Sequence, residues 1–344
     1  MFKPLMDACE AAAAEPLRGI TLDGQIQPNL FSIEASGAST GPILDAAKSL
    51  LGLLDSTPKA AVSFPLDAQE RRTWFNIHPN IFRHGLLLEA ASAAQRDAAL
   101  AVIAASLSPR GYRQARDVKR LNGLLAEITG SSDQFGEWPY WFSLFGRPSA
   151  DEPWAWQIDG HHLNVNCLVL DDRLVFTTSF MGSEPCHVHD GPLAGTAVFD
   201  AETRAGLEFL RALDDTQRSV AVLRSSIAPA DLPAELNHPV DGRMQAGAFK
   251  DNAVIPFEGV RGGQLNAMQR VGLRDLVATY VGWADDGHAA LTMRDVDAHL
   301  ENTHFCWMGA QGDERLSAER VPGAESSDSG GVGSLREDEQ DVAA

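Results

Sequence analysis

Two runs of alternating residues near the middle of the chain constrain its fold most. Trp156 to Leu170 and Arg173 to Met181 both place apolar side chains at alternate positions, and Asp171-Asp172 between them suits a tight turn. The pattern predicts an antiparallel hairpin. If Leu170 faces Arg173, then His162 lies opposite Met181, Asn164 opposite Ser179 and Asn166 opposite Thr177, all on one polar face. Leu163, Val165, Cys167 and Val169 form the other face with Phe180, Thr178, Phe176 and Leu174. A slip of one residue would exchange the two faces, so burial of the apolar set is what should hold this register.

Helical periodicity surrounds the hairpin. Leu44, Ala47, Leu51 and Leu54 share one face of Ile43 to Leu54, and Val118, Leu121, Leu125 and Ile128 share one of Arg116 to Ile128, which Gly130 would stop. Ala91 to Leu107, Glu202 to Leu213 and Leu265 to Val281 are further helix candidates. The expected class is therefore α+β, an antiparallel sheet with its central hairpin at about 156–181 flanked by amphipathic helices. Residues 1–40 form a helix and a partly irregular arm, and 41–310 form one α+β domain. From Gln311 to Ala344 nine acidic and three basic residues with few large apolar side chains predict a disordered acidic tail.

Charge narrows the partners. With 47 acidic and 28 basic side chains the formal net charge is −19, which repels nucleic acid and anionic membrane surfaces. No apolar run reaches the roughly 20 residues of a membrane helix. The four scattered cysteines form no paired motif, so reduced thiols and a cytoplasmic location are the expectation. A small molecule is the expected partner.

The polar face of the hairpin carries the candidate chemistry. The bland reading is a wet sheet face, common in antiparallel sheets. Against it, Asn is depleted in strands because its side chain competes for backbone hydrogen bonds, so two of them alternating with His162 need a local reason. His162, Asn164, Asn166 and Glu184 are the catalytic candidates. His162, His187 and His189 are the metal candidates, since a strand would put His187 and His189 on one face and imidazole suits divalent transition metals. His161, adjacent to His162, would point to the opposite face unless a bulge intervened. Trp156 and Ser179 would wall a ligand, and Arg83 or Arg261 would clamp a substrate carboxylate with two hydrogen bonds. Core packing explains the tryptophans equally, and ion pairing the arginines. No HExxH, Walker loop or GxGxxG motif is present.

Several segments carry a resemblance. Trp141-Phe-Ser-Leu-Phe-Gly-Arg-Pro-Ser149, Trp154-Ala-Trp-Gln-Ile-Asp-Gly-His-His-Leu-Asn164, Phe180-Met-Gly-Ser-Glu-Pro185, Asp251-Asn-Ala-Val-Ile-Pro-Phe-Glu-Gly259 and Thr303-His-Phe-Cys-Trp-Met-Gly309 together resemble domain of unknown function 3500, over about Phe64 to Gly309. The resemblance implies no reaction. It does imply a further β-like portion with a His-x-His segment beyond the Trp-x-Gly element, where this chain has its acidic tail, so that a closing part of the site would be missing. The leading expectation is an enzyme acting on a small molecule, a metal-dependent hydrolase by default. The alternatives are a noncatalytic binding module and an inactive truncated paralogue.

Overall fold

A computed structural model describes residues 3–26, 28, 37–77, 80–176, 179–233, 249–312 and 335–336. Two compact units are present, the first comprising Met1–Leu17, Ser32–Ser183 and Trp283–Ala289, the second Arg18–Phe31, Glu184–Gly282 and Ala290–Ala344. Both mix helices with mostly antiparallel strands, which makes the class α+β.

The first unit holds α1 (Lys3–Ala14), α2 (Gly41–Gly52), α3 (Ser56–Val62), α4 (Ala93–Ser106) and α5 (Pro109–Thr129), with β1 (Ser63–Phe64), β2 (Leu86–Leu87), β3 (Trp141–Phe145), β4 (Trp154–Asp159), β5 (Leu163–Leu170), β6 (Arg173–Val175) and β7 (Ser179–Met181). The helix ends follow local chemistry. Ser92 and Gln95 close α4 with a capping box, and Ser108 accepts from the Gly111 amide at the start of α5, where Pro109 loses no helical hydrogen bond. Gly130 ends α5 in the left-handed conformation that glycine adopts without strain. The Arg72 guanidinium caps α1 from outside by donating to the Ala12, Ala13 and Glu15 carbonyls.

The sheet runs β1-β3-β4-β5-β6, with β2 beside β3 and β7 beside β5; only the β1–β3 pair is parallel. Both faces of its centre are buried. One carries Phe142, Leu144, Trp156, Ile158, Val165 and Cys167, a continuous apolar surface. The other is divided along its length. Phe145, Ala155 and Leu168 make an apolar end, whereas Ser143, Gln157 and Asn166 stand side by side, followed by Asp159 and Asn164.

Two expectations about the central strands need correction. The run from Trp156 to Leu170 is not one strand: it breaks at Gly160–His162, where the Leu163 amide bonds to the Gly160 carbonyl, and β4 folds back onto β5. The register of β5 also changes along its partner. Leu170–Arg173, Val169–Leu174 and Leu168–Val175 pair as expected, but Val165 faces Ser179, Asn164 faces Phe180 and Leu163 faces Met181. Three steps along β5 match four along the partner, so one extra residue lies between Val175 and Ser179 and shifts everything beyond it. Asn164 is thus opposite Phe180 instead of Ser179. The expected partners Thr177 and Thr178 lie outside the described residues.

The second unit holds α6 (Asp200–Ala212), α7 (Asp215–Ala221), α8 (Ala267–Val281) and α9 (Asp286–His299), with β8 (Val222–Arg224), β9 (Val260–Arg261), β10 (His304–Phe305), β11 (Trp307–Met308) and β12 (Leu335–Arg336). Leu207, Phe209 and Leu210 of α6 pack with Leu273 and Leu276 of α8 around Phe305 and Trp307. Gly259 is required there: at φ 87° it lies so close to β10 that a Cβ would come within 2.1 Å of the Phe305 carbonyl oxygen. Most of the expected acidic tail, 313–334 and 337–344, lies outside the described residues.

Candidate functional site

The turn between β4 and β5 builds the site. His162 occupies it at φ 58°, a left-handed conformation uncommon for a residue with a side chain, and is held there from both sides. Its amide donates to the Asn76 carbonyl at 2.9 Å, and its carbonyl accepts from the Gly182 amide at 2.8 Å. Because the two histidines occupy a turn and not a strand, they do not diverge as expected. The rings of His161 and His162 lie 4.0 Å apart between centroids, both buried.

His161 is oriented from outside the sheet. Asn122, on the inward face of α5, directs its Nδ2 to the Gly136 carbonyl at 2.6 Å and its Oδ1 to Nδ1 of His161 at 2.7 Å. A backbone carbonyl can only accept, so the atom facing Gly136 is the NH2 and the atom facing the imidazole is the acceptor. In the neutral ring Nδ1 therefore carries the proton and Nε2 the lone pair. The buried Tyr140 hydroxyl donates to the His161 carbonyl at 2.8 Å, and burial pushes its phenol pKa well up, so it remains a donor. Gly160 permits this contact, since a Cβ there would stand 2.3 Å from the Tyr140 ring.

The strand that follows brings a carboxylate. Beyond β7 the chain passes through Gly182, bonded to His162, to Glu184. Among the described residues, His161, His162 and Glu184 form a group whose ligand atoms all lie within 4.8 Å of one another. Asp159, at the end of β4, accepts from the Phe75 amide at 3.0 Å; burial raises its pKa to about 8 against that hydrogen bond, so it is protonated near neutrality. Further along the same face, Gln157 accepts from Nε2 of His84 at 2.8 Å and donates to Asn166 at 2.5 Å and to the Arg71 carbonyl at 3.2 Å. Burial lowers the His84 pKa, which keeps that ring neutral.

Of the residues singled out in the sequence, His162 comes from the turn and Asn164 from β5 beside it, whereas Glu184 belongs to the second unit. Asn166 is buried in the Gln157 ladder and is no part of a wet face. Trp156 belongs to the opposite face, donating to Ser106 Oγ at 3.0 Å and stacking on Phe142, and Ser179 faces Val165 on that same side. Arg83 is exposed and bonded to the Asn80 carbonyl. His187, His189 and Arg261 belong to the second unit, where His187 pairs with Asp200, His189 is exposed, and Arg261 donates to Asn302. His161, Asn122, Asp159 and Asn76 were not singled out for the site. The Gly160-His-His sequence was the one available signal, since glycine before two polar residues marks a turn as readily as a strand.

The molecule is thus an α+β protein with two histidines buried at a hairpin turn of its first unit. Residues 36–325 match the family described as "Protein of unknown function (DUF3500)", and the chain belongs to that family. No curated protein and no solved structure matches it. Among the described residues no helix is long and apolar enough to cross a membrane.

Proposed function

We propose that this protein is a metal-dependent hydrolase of a small molecule, with His161, His162 and Glu184 as ligands to a divalent transition metal. One observation carries the reading: the three ligand atoms lie mutually within 4.8 Å, on two buried imidazoles and a half-buried carboxylate. The donor chemistry fits. Two imidazoles and one carboxylate form a set that zinc and iron accept with coordination positions left over. Asn122 supports the fit by leaving the His161 Nε2 lone pair free of its proton, the arrangement that outer partners of ligating histidines impose. A metal so held supplies Lewis acidity and a water ionised near neutral pH. Asp159 adds a buried carboxyl at the end of β4, just before the turn. The scattered cysteines and the net charge of −19 support a cytoplasmic protein acting on small molecules.

The test is chelation and reconstitution. Purified protein is screened against ester, amide and phosphoester substrates with zinc, manganese or iron(II), and chelator should abolish a hydrolytic activity that the metal restores. Activity indifferent to chelator, or reconstituted protein that binds ligands from the panel without turning any over, would favour the binding-module reading instead.

A further inference from the structure

Two carboxamides beside the histidine turn hold polar atoms that no described residue engages. Asn76 is 1% exposed, and among the described residues neither its Oδ1 nor its Nδ2 has a hydrogen-bond partner. Asn164 is also 1% exposed; its Nδ2 donates to the Gly160 carbonyl at 3.0 Å, and its Oδ1 is likewise unmatched among the described residues. Both are tied to the backbone of the histidine turn. Asn76 bonds its carbonyl to the His162 amide, and Asn164 is the second residue beyond His162 on β5, facing Phe180, whose ring stacks on His162. Buried amide atoms left unmatched weaken a fold, and natural chains keep few of them without a reason.

From this we infer that Asn76 and Asn164 read a neutral carboxamide on the substrate. Asn76 offers a donor and an acceptor on one plane, and Asn164 adds an acceptor. A carboxamide is the complement, with a carbonyl that accepts and an N–H that donates side by side. Charge selects the same class. Asn76 and Asn164, the two groups with unmatched atoms, are both neutral carboxamides. A substrate carboxylate would meet amide oxygens there, and Arg83, the expected clamp, is committed elsewhere at the surface. The inference rests on the hydrolase reading for its chemistry. The water oxygen bonds to the amide carbonyl carbon, the C–N bond breaks, and the nitrogen leaves with a proton from that water, giving a carboxylic acid and, from a primary amide, ammonia.

The test uses full-length protein freed of metal by chelator, so that recognition is read apart from metal binding. Benzamide, N,N-dimethylbenzamide and benzoate, with further matched triples of the same design, are compared by ligand-observed NMR on wild type, Asn76→Leu and Asn164→Val. Wild type should bind the primary amides about tenfold more tightly than either analogue, the loss expected for one or two hydrogen bonds. Asn76→Leu should remove that preference while leaving Tm unchanged or higher, since leucine buries no unmatched amide; Asn164→Val should also remove it. The inference is overturned if wild type shows no preference for the primary amides, if both variants keep it, or if Asn76→Leu lowers Tm, which would make Asn76 a structural group. Loss of this preference with metal still bound on reconstitution would defeat the substrate class alone. Failure of metal binding with the preference intact would defeat the hydrolase reading alone.

Discussion

Asn122 Oδ1 lies 2.7 Å from Nδ1 of His161, across 39 residues of sequence, and its own NH2 is committed to the Gly136 carbonyl. One amide on α5 therefore decides which nitrogen of the neutral His161 ring carries the proton. Replacing it tests whether that orientation matters. Asn122→Ala should weaken metal affinity by about 10- to 100-fold, the usual effect of removing an outer partner. The His161 ring, followed by nitrogen-detected NMR in the metal-free protein, should change from a single Nδ1–H tautomer to a mixture. An unchanged tautomer would remove Asn122 from the account.

Gly160 is expected to tolerate no side chain. A Cβ there would lie 2.3 Å from Tyr140 Cδ1, within a buried ring whose hydroxyl holds the His161 carbonyl. Gly160→Ala should destabilise by about 1–3 kcal/mol, as overpacking does, and reduce metal affinity with it. Denaturant unfolding beside a metal titration reads both.

Trp156 supplies the contrast. Its indole donates to Ser106 and packs on Phe142 on the apolar face. Trp156→Phe should lower stability by about 1–3 kcal/mol, through the lost indole hydrogen bond to Ser106, whose hydroxyl still donates to the Val102 carbonyl, and through lost volume. Metal content should not change, and a metal-free Trp156→Phe protein that is otherwise folded would place this residue nearer the site than its face of the sheet allows.

Lys119 gives the protein a predictable pH dependence. It is 2% exposed, its ammonium lies over the Trp138 ring at 4.0 Å, and burial lowers its pKa from 10.5 to about 8. The unfolded chain then holds this proton more tightly, so the penalty is fully present below pH 8 and disappears as pH rises towards 10.5. The rise in stability over that window should amount to about 3 kcal/mol. Lys119→Met should be at least as stable at pH 7 and lack this component, checked by urea denaturation of both proteins from pH 7 to 10.

Much of the framework was legible because it obeys simple periods. α5 shows its apolar face and its Gly130 stop, and the Asp171-Asp172 turn lies where alternation breaks. The site was less so. Phe176, Thr177 and Thr178 all suit a strand, so nothing in a period of two betrays the extra residue that moves Asn164 from Ser179 to Phe180. Alternation also carries on through Gly160-His161-His162 as if the strand continued, which sent His161 to the wrong side. Asn76 lies in an aperiodic stretch 86 residues before His162, and only the folded backbone brings its carbonyl to the His162 amide. The His187 and His189 spacing, in contrast, was visible but local: His187 is paired with Asp200 within its own unit.

The central claim is that His161 and His162 share a metal with Glu184. Elemental analysis of protein purified from metal-replete medium, beside His161→Ala and His162→Ala checked for native circular dichroism, tests it directly. The account predicts about one divalent transition metal per chain in the wild type and a small fraction of that in each variant. Metal-free wild type after reconstitution, or equal metal in all three folded proteins, would contradict it.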